Sequence, residues 1–253
     1  MFKKIINSIK ISIWLAIVEI KARYLRSIIG PFWSAIILFV MVIVIGPIYS
    51  LIFNQTSDYI LNLAVGLFAW QFILNNLTDA SFSFQKIENL YQNKNIGLFV
   101  PSLKTLISNL ILSGHQLVSM FIIFFIWSND SLIKIIILMP LIFFLSVFVY
   151  PIIFIVSLIS LRYRDIQSAL NSALFMIFFL SPIIWSVEMI PESKRFFVNY
   201  NPITHIINIF RELVLNLRID FLSILIILFI SAVLYIFSFL FYKKVKHKFI
   251  FWF

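Results

Sequence analysis

The sequence contains no cysteine, so disulfides, iron–sulfur clusters and thiolate metal sites are excluded. Glycine is almost as scarce: Gly30, Gly46, Gly66, Gly97 and Gly114 lie far apart, and no G-x-x-x-x-G-K-S/T loop can be written. The chain therefore cannot cradle and hydrolyse ATP by that mechanism. Charge is scarce too. Only 12% of residues are charged, against roughly a quarter in soluble domains, which leaves too little polar surface to coat a water-soluble globule. That excludes a soluble enzyme, and the abundance of apolar residues excludes disorder. His115, His205 and His247 are too dispersed to suggest a metal cluster, and no Ser/His/Asp triad or paired-carboxylate site follows from spacing. Met1–Arg26 carries charges throughout and does not read as a cleavable signal peptide.

What the chain has is apolar length. Apolar residues make up 62% of the 253, aromatics 18%, and the mean hydropathy is +1.05. A helix needs about 20 apolar residues to cross the hydrocarbon layer. Six runs qualify: Gly30–Phe53, Ile60–Thr78, Thr105–Trp127, Ile135–Leu161, Ile166–Trp185 and Phe221–Tyr242. The fourth needs a tilt or bend, for which Pro140 and Pro151 offer places. The expectation is an all-α polytopic membrane protein with six transmembrane helices, an N-terminal interfacial helix and an outer re-entrant or interfacial segment.

The formal charge of +10 would suggest a nucleic-acid partner on a soluble protein, but its distribution says otherwise. With the N-terminus inside, the basic residues of 1–29, Lys86, Lys94, Lys104, Arg162, Arg164 and the Lys243–Lys248 group are cytoplasmic. Only Lys134, Lys194, Arg195, Arg211 and Arg218 fall outside. This positive-inside asymmetry places both termini in the cytoplasm and removes the case for nucleic acid.

Three segments do not span. Residues 1–29 place Phe2, Ile5, Ile6, Ile9, Ile13, Ile17, Ile20 and Tyr24 at helical spacing, with Lys3, Lys10 and Lys21 opposite, as in a helix lying in the inner interface. Residues 80–104 form an inner loop. Residues 186–220 form an outer segment in which Ile203–Leu217 reads as a short helix. The mid-membrane regions hold no Asp, Glu, Lys or Arg, which argues against an ion-coupled carrier. His115 reads as a neutral histidine bonded to a neighbouring helix, alongside Gln116, rather than a proton relay. The six tryptophans, Trp70 and Trp185 among them, read as an interface belt, the alternative being a track of rings for sugar faces. For Arg162, Arg164 and Asp165, topology control with a local ion pair stands beside a functional role. Arg211 and Glu212 read as pairing with each other or with headgroups, or as contacts to an anionic substrate.

Several motifs, in order, carry a resemblance: Arg23-Tyr24-Leu25-Arg26-Ser27-Ile28-Ile29-Gly30-Pro31-Phe32-Trp33, then Leu161-Arg162-Tyr163-Arg164-Asp165-Ile166, Ser181-Pro182-Ile183-Ile184-Trp185, and Asn201-Pro202 followed by His205, Arg211 and Glu212. With the topology, they resemble the membrane permease subunit of ABC exporters for polysaccharides, the group exporting O-antigen, teichoic acid and capsule. The resemblance implies a homodimer with two copies of a cytoplasmic ATP-binding subunit, which would bind ATP and Mg. This chain would hold no cofactor and perform no catalysis. It further implies transport of a lipid-linked polysaccharide amid membrane lipids. Residues 1–29 would be a gate-like helix, with Arg23, Tyr24, Arg26, Gly30 and Trp33 at the gate. Residues 30–253 would be the permease domain. The ATPase-coupling loop would include Gln85, Glu88, Lys94, Asn95, Phe99 and Pro101, and Arg162, Arg164 and Asp165 would make the inner turn. Candidate glycan or outer-gate contacts are Trp70, Trp185, Asn201, Pro202, Arg211 and Glu212. The alternatives are an exporter of a smaller lipid or drug, an ion-coupled flippase, and a non-transport scaffold.

Overall fold

A backbone inside a bilayer must satisfy its hydrogen bonds internally, so apolar runs of this length become helices. The computed structural model describes residues 2–54, 58–88, 96–128, 130–246 and 249–252, and these hold α-helices, short 3-10 turns and no strand. The helices are α1 (Phe2–Arg23), α2 (Trp33–Ile52), α3 (Asp58–Ala80), α4 (Val100–Trp127), α5 (Ser131–Arg162), α6 (Ile166–Leu180), α7 (Pro202–Leu215) and α8 (Phe221–Val245). A single helical turn, Phe196–Asn199, precedes α7.

Five of these, α2, α3, α4, α5 and α8, are long and apolar enough to cross a membrane. The fifth expected span is shorter than its apolar run. α6 has 15 residues, about 22 Å at helical rise, and stops before Ser181-Pro182. Ser181 is extended (φ −103°, ψ 146°), the conformation that the following proline imposes. The run beyond it, Ile183-Ile184-Trp185, is apolar but not helical.

The helices surround α3, whose residues are buried almost from end to end. α3 packs against α2, α4, α5, α6 and α7. α4 carries small and polar side chains that are all buried, Ser102, Thr105, Asn109, Ser113, Gln116 and Ser119, and Asn109 and Gln116 reach Asp79 and Gln71 of α3. Small residues let helices approach closely where lipid provides no hydrophobic drive. Ser119 donates across to the Ala35 carbonyl at 2.5 Å. α2 enters through a 3-10 turn at Gly30, whose φ of +63° is open to glycine at little cost.

α1 divides its residues between an exposed and a buried face. The isoleucines at 6, 9, 13 and 17 are exposed, and the stripe that packs on the protein is Ser12, Leu15, Ala16 and Ile20. The apolar periodicity marked the face left for lipid. The packing face is carried by smaller residues, and Ser12 reaches the Val100 carbonyl at 3.3 Å.

Candidate functional site

Ionic side chains of α1, α3, α4 and the inner loop converge on Glu19. Glu19 Oε2 is 2.7 Å from Lys104 Nζ, and Oε1 is 2.8 Å from Lys86 Nζ and 3.2 Å from Arg23 Nη2. Asp79, in the last turn of α3, takes Lys86 at 2.9 Å and Arg23 at 3.2 Å. Asn109 of α4 donates to the same carboxylate at 3.3 Å. Two acids therefore bind three bases, and Lys104 is only 1% exposed. Burial would raise the Glu19 carboxyl, but Lys104 and Lys86 outweigh it by charge and hydrogen bonds and lower it to about 2.

Arg23 and Asp79 also form the inner end of a groove of about 730 Å³ between α2, α3, α4 and α6. One side is aromatic and aliphatic, with Trp33, Ile37, Trp70, Phe175, Phe178 and Phe179. The other is neutral and polar, with Gln71, Asn75, Asn109 and Gln116. Gln116 donates to Gln71 at 2.8 Å. Trp70 is buried at 4% exposure and packs on Phe178 with ring centroids 5.7 Å apart, whereas Trp33 is 45% exposed. Tyr24 lines the inner mouth. Arg26 is exposed, and Gly30 makes the turn between α1 and α2. The groove therefore unites Arg23, Tyr24, Trp33 and Trp70. It also removes Trp70 from the interface belt, because Trp70 lies in the middle of a buried helix.

The inner loop is described at both ends. Gln85 is exposed in a 3-10 turn, Glu88 is half-buried, Phe99 caps the start of α4 and Pro101 is buried in its first turn. Lys94, Asn95, His247 and Lys248 lie outside the described residues. A small apolar cluster joins this loop to the inner ends of α5 and α8: Phe84 and Leu98 pack with Phe154, Leu158 and Val245, and Trp252 lies against them. Arg162 stacks over Tyr163 and Trp252, at 5.1 and 5.3 Å from the ring centroids. Among the described residues it makes no ion pair with Asp165, so the expected local pair is replaced by cation–π contact. Arg164 and Asp165 are exposed.

The segment after α6 is pinned. Arg211 donates to the Ile183 carbonyl at 2.9 Å and to the Asn62 carbonyl at 3.1 Å. Tyr59 donates to the Ile184 carbonyl at 2.6 Å, and the Trp185 indole to the Phe179 carbonyl at 3.1 Å. Asn201 bonds Ser181 Oγ at 2.9 Å through its amide nitrogen. Its oxygen accepts from the Ile203 amide at 2.9 Å, which caps α7, and Pro202 takes the first helical position. Arg211 and Glu212 do not pair with each other, since Glu212 accepts from Asn216 at 3.1 Å. They are adjacent in a helix and point apart. Both line a pocket of about 280 Å³ with Trp185, Tyr59 and Glu188.

His115 likewise differs from expectation. Its Nδ1 donates to the Ile111 carbonyl of its own helix at 2.8 Å, and its ring meets Phe32 edge-on. Its neighbour Gln116 does bridge to another helix, through Gln71 of α3. Sequence reading missed Glu19, Asp79, Lys86, Asn75, Asn109 and Gln71 as site residues. A signal was present: Glu19 and Arg23, like Gln71 and Asn75, are four apart on one helical face. Among the described residues no group of acids and histidines could hold a metal.

Residues 13–215 match the ABC-2 type transporter family. Two relatives are O-antigen export system permease proteins RfbA of Klebsiella pneumoniae. One is 28% identical over 237 residues and the other 29% over 239. In each case the alignment covers 91% of this chain and 90% of the relative.

Proposed function

The chain belongs to the ABC-2 type transporter family, and from that membership we propose that it is the membrane-spanning subunit of an ATP-driven exporter that moves a lipid-linked polysaccharide of the O-antigen kind out of the cytoplasm. It is a multi-pass membrane protein. Its relatives' names speak of O-antigen export, and its lack of a phosphate loop leaves ATP hydrolysis, with Mg, to a separate ATP-binding subunit.

The observation that carries this reading is the double membership of Arg23 and Asp79. Both belong to the ionic cluster that ties α1 to the inner loop through Lys86, and both close the inner end of the groove. A displacement of the loop by a nucleotide-driven partner would therefore reach the groove mouth through one layer of side chains. Such a shift needs contacts that differ between two states, and a cluster of five charges at hydrogen-bond distance is such a set. The glycan is too polar to cross lipid unaided, while its lipid anchor is apolar. A laterally open groove with one polar side accommodates both.

In this reading both termini are cytoplasmic and α6 crosses as a short fifth span. Two copies would bring their grooves together, each docked to one ATP-binding subunit through the loop around Gln85–Pro101. The polar side favours a glycan over a small apolar drug. The test is deletion of the gene with and without complementation by a chain lacking 85–95. Surface glycan should vanish and intracellular lipid-linked glycan accumulate in both deficient strains. Normal surface glycan in the deletion strain would overturn the export reading. Retained ATPase co-purification and export by the loop deletion would overturn the coupling role.

A further inference from the structure

Three amides of the groove's polar side, Gln71, Asn109 and Gln116, are tied to their neighbours. Asn109 Nδ2 is committed to Asp79 at 3.3 Å and the Thr105 carbonyl at 3.2 Å. A carboxylate only accepts, so this contact fixes which end of the amide is nitrogen. Gln116 Nε2 is committed to Gln71 Oε1 at 2.8 Å, and Gln71 Nε2 faces Met41 Sδ at 3.2 Å. The opposite ends of two of these amides, Asn109 Oδ1 and Gln116 Oε1, are buried without a hydrogen-bond partner. Both residues line the groove, at 2% and 1% exposure. Both oxygens are sealed from solvent, so these amides present a neutral, fixed wall to the groove.

The charges around the groove point the same way. Among the described residues lining it, Arg23 and Asp79 are the charged ones, and they bind each other at 3.2 Å. Outward, a second polar pocket of about 460 Å³ is lined by Glu188, Glu212 and Asp220 against Arg218.

Resting on the export reading above, we propose that the groove is built for an uncharged, hydroxyl-rich glycan and selects against polymers that carry a phosphate or carboxylate in each repeat. Sugar hydroxyls both donate and accept, so they suit the uncharged amides of Asn75 and Asn171 that line the groove. The apolar faces of the sugar rings fit the wall formed by Trp33, Trp70 and Phe178. A phosphodiester or uronate group only accepts. In this groove it would meet no charged group other than the Arg23–Asp79 pair among the described residues, in a low-dielectric setting where an unpaired charge is expensive. Three carboxylates at the outer pocket would oppose it again.

The test reconstitutes the permease with its ATP-binding subunit in liposomes. The probes are an undecaprenyl-pyrophosphate-linked mannose homopolymer and an undecaprenyl-pyrophosphate-linked poly(glycerol phosphate) of equal length, so that the lipid anchors cancel. ATP-dependent transfer is read by labelling with an impermeant reagent. The neutral polymer should move faster by roughly tenfold or more. Asn171→Lys places a cation on the exposed face of α6 within the groove lining, and should narrow that gap by about threefold or more. Equal transfer of the two polymers by the unmodified protein overturns the inference and leaves the export reading intact. Transfer of neither polymer by a complex that hydrolyses ATP overturns the export reading and this inference with it.

Discussion

The Arg211 guanidinium lies across the face of Gly66. A Cβ at position 66 would stand 3.2 Å from Nη2 and 3.4 Å from the Ile183 carbonyl oxygen that Nη2 binds. The glycine in α3 and the arginine in α7 are thus one device, which holds the chain after α6 against the central helix. Gly66→Ala should destabilise the protein by about 1–3 kcal/mol through overpacking. Arg211→Met should cost a similar amount by leaving the Ile183 and Asn62 carbonyls without their donor, about 1–3 kcal/mol. Melting of the purified protein in detergent checks both, and unchanged midpoints would show that the staple bears no strain.

The buried half of the ionic cluster should behave as a pair. Lys104→Met leaves Glu19 beside Lys86 and Arg23 only, and breaking a buried pair from one side typically costs about 3–5 kcal/mol. Adding Glu19→Gln should recover part of that loss. A double-mutant cycle on melting, run beside ATP-driven export, measures the coupling; strict additivity would mean that the 2.7 Å contact contributes no interaction energy.

The same carboxylate sets an acid limit. Glu19 is lowered from its ordinary 4.5 to about 2 in the folded chain by Lys104 and Lys86, against the opposing effect of burial. Its folded value lies below the unfolded one, so its contribution is complete above pH 4.5 and fades as pH falls toward 2. The Glu19→Gln variant should therefore show a shallower loss of stability across that window than the unmodified protein. Parallel curves would sink the assignment.

Trp70 and Trp33 should separate structure from transport. Trp70 is enclosed against Phe178, and its replacement by alanine should cost about 3–5 kcal/mol of stability. Trp33 is half-exposed on the groove rim. Trp33→Ala should leave melting nearly unchanged and slow glycan export in reconstituted liposomes. A large loss of stability in Trp33→Ala, with export per folded molecule unaltered, would remove it from the path.

Arg162 should hold the C-terminal turn. Its guanidinium stacks on Trp252 at 5.3 Å, a contact worth about 1 kcal/mol where partly exposed. Arg162→Gln should raise amide hydrogen exchange at 249–252 while leaving α5 protected. No change in exchange there would show that the apolar cluster alone secures the turn.

The spans were legible because a run of about 20 apolar residues has few other uses. α7 was legible because Asn201-Pro202 is a cap followed by a first-turn proline. α6 was misjudged in length because hydropathy continues through Ile183-Ile184-Trp185, while Pro182 has already ended the helix. The packing face of α1 was not legible, because Ser12, Leu15, Ala16 and Ile20, which meet the protein, are mostly smaller than the exposed isoleucines that set the periodicity. The ionic cluster was the least legible part. Glu19, Asp79 and Lys104 are far apart in the chain, and only the packing of α1 on α4 brings Glu19 to Lys104 while Lys86 and Arg23 join it to Asp79.

The enclosure of α3 bears on how the protein is made. Between its charged ends this helix carries Asn62, Gln71, Asn75 and Asn76, and polar side chains within the span make membrane insertion of a lone helix unfavourable. Several of its satisfying partners, such as Gln116 and Arg211, are synthesised later in the chain. α3 thus leaves the ribosome before the groups that make it comfortable in lipid exist. Biogenesis has to shelter it until α4 and α7 arrive, and truncation after α3 should expose a degradation signal that the full-length chain conceals.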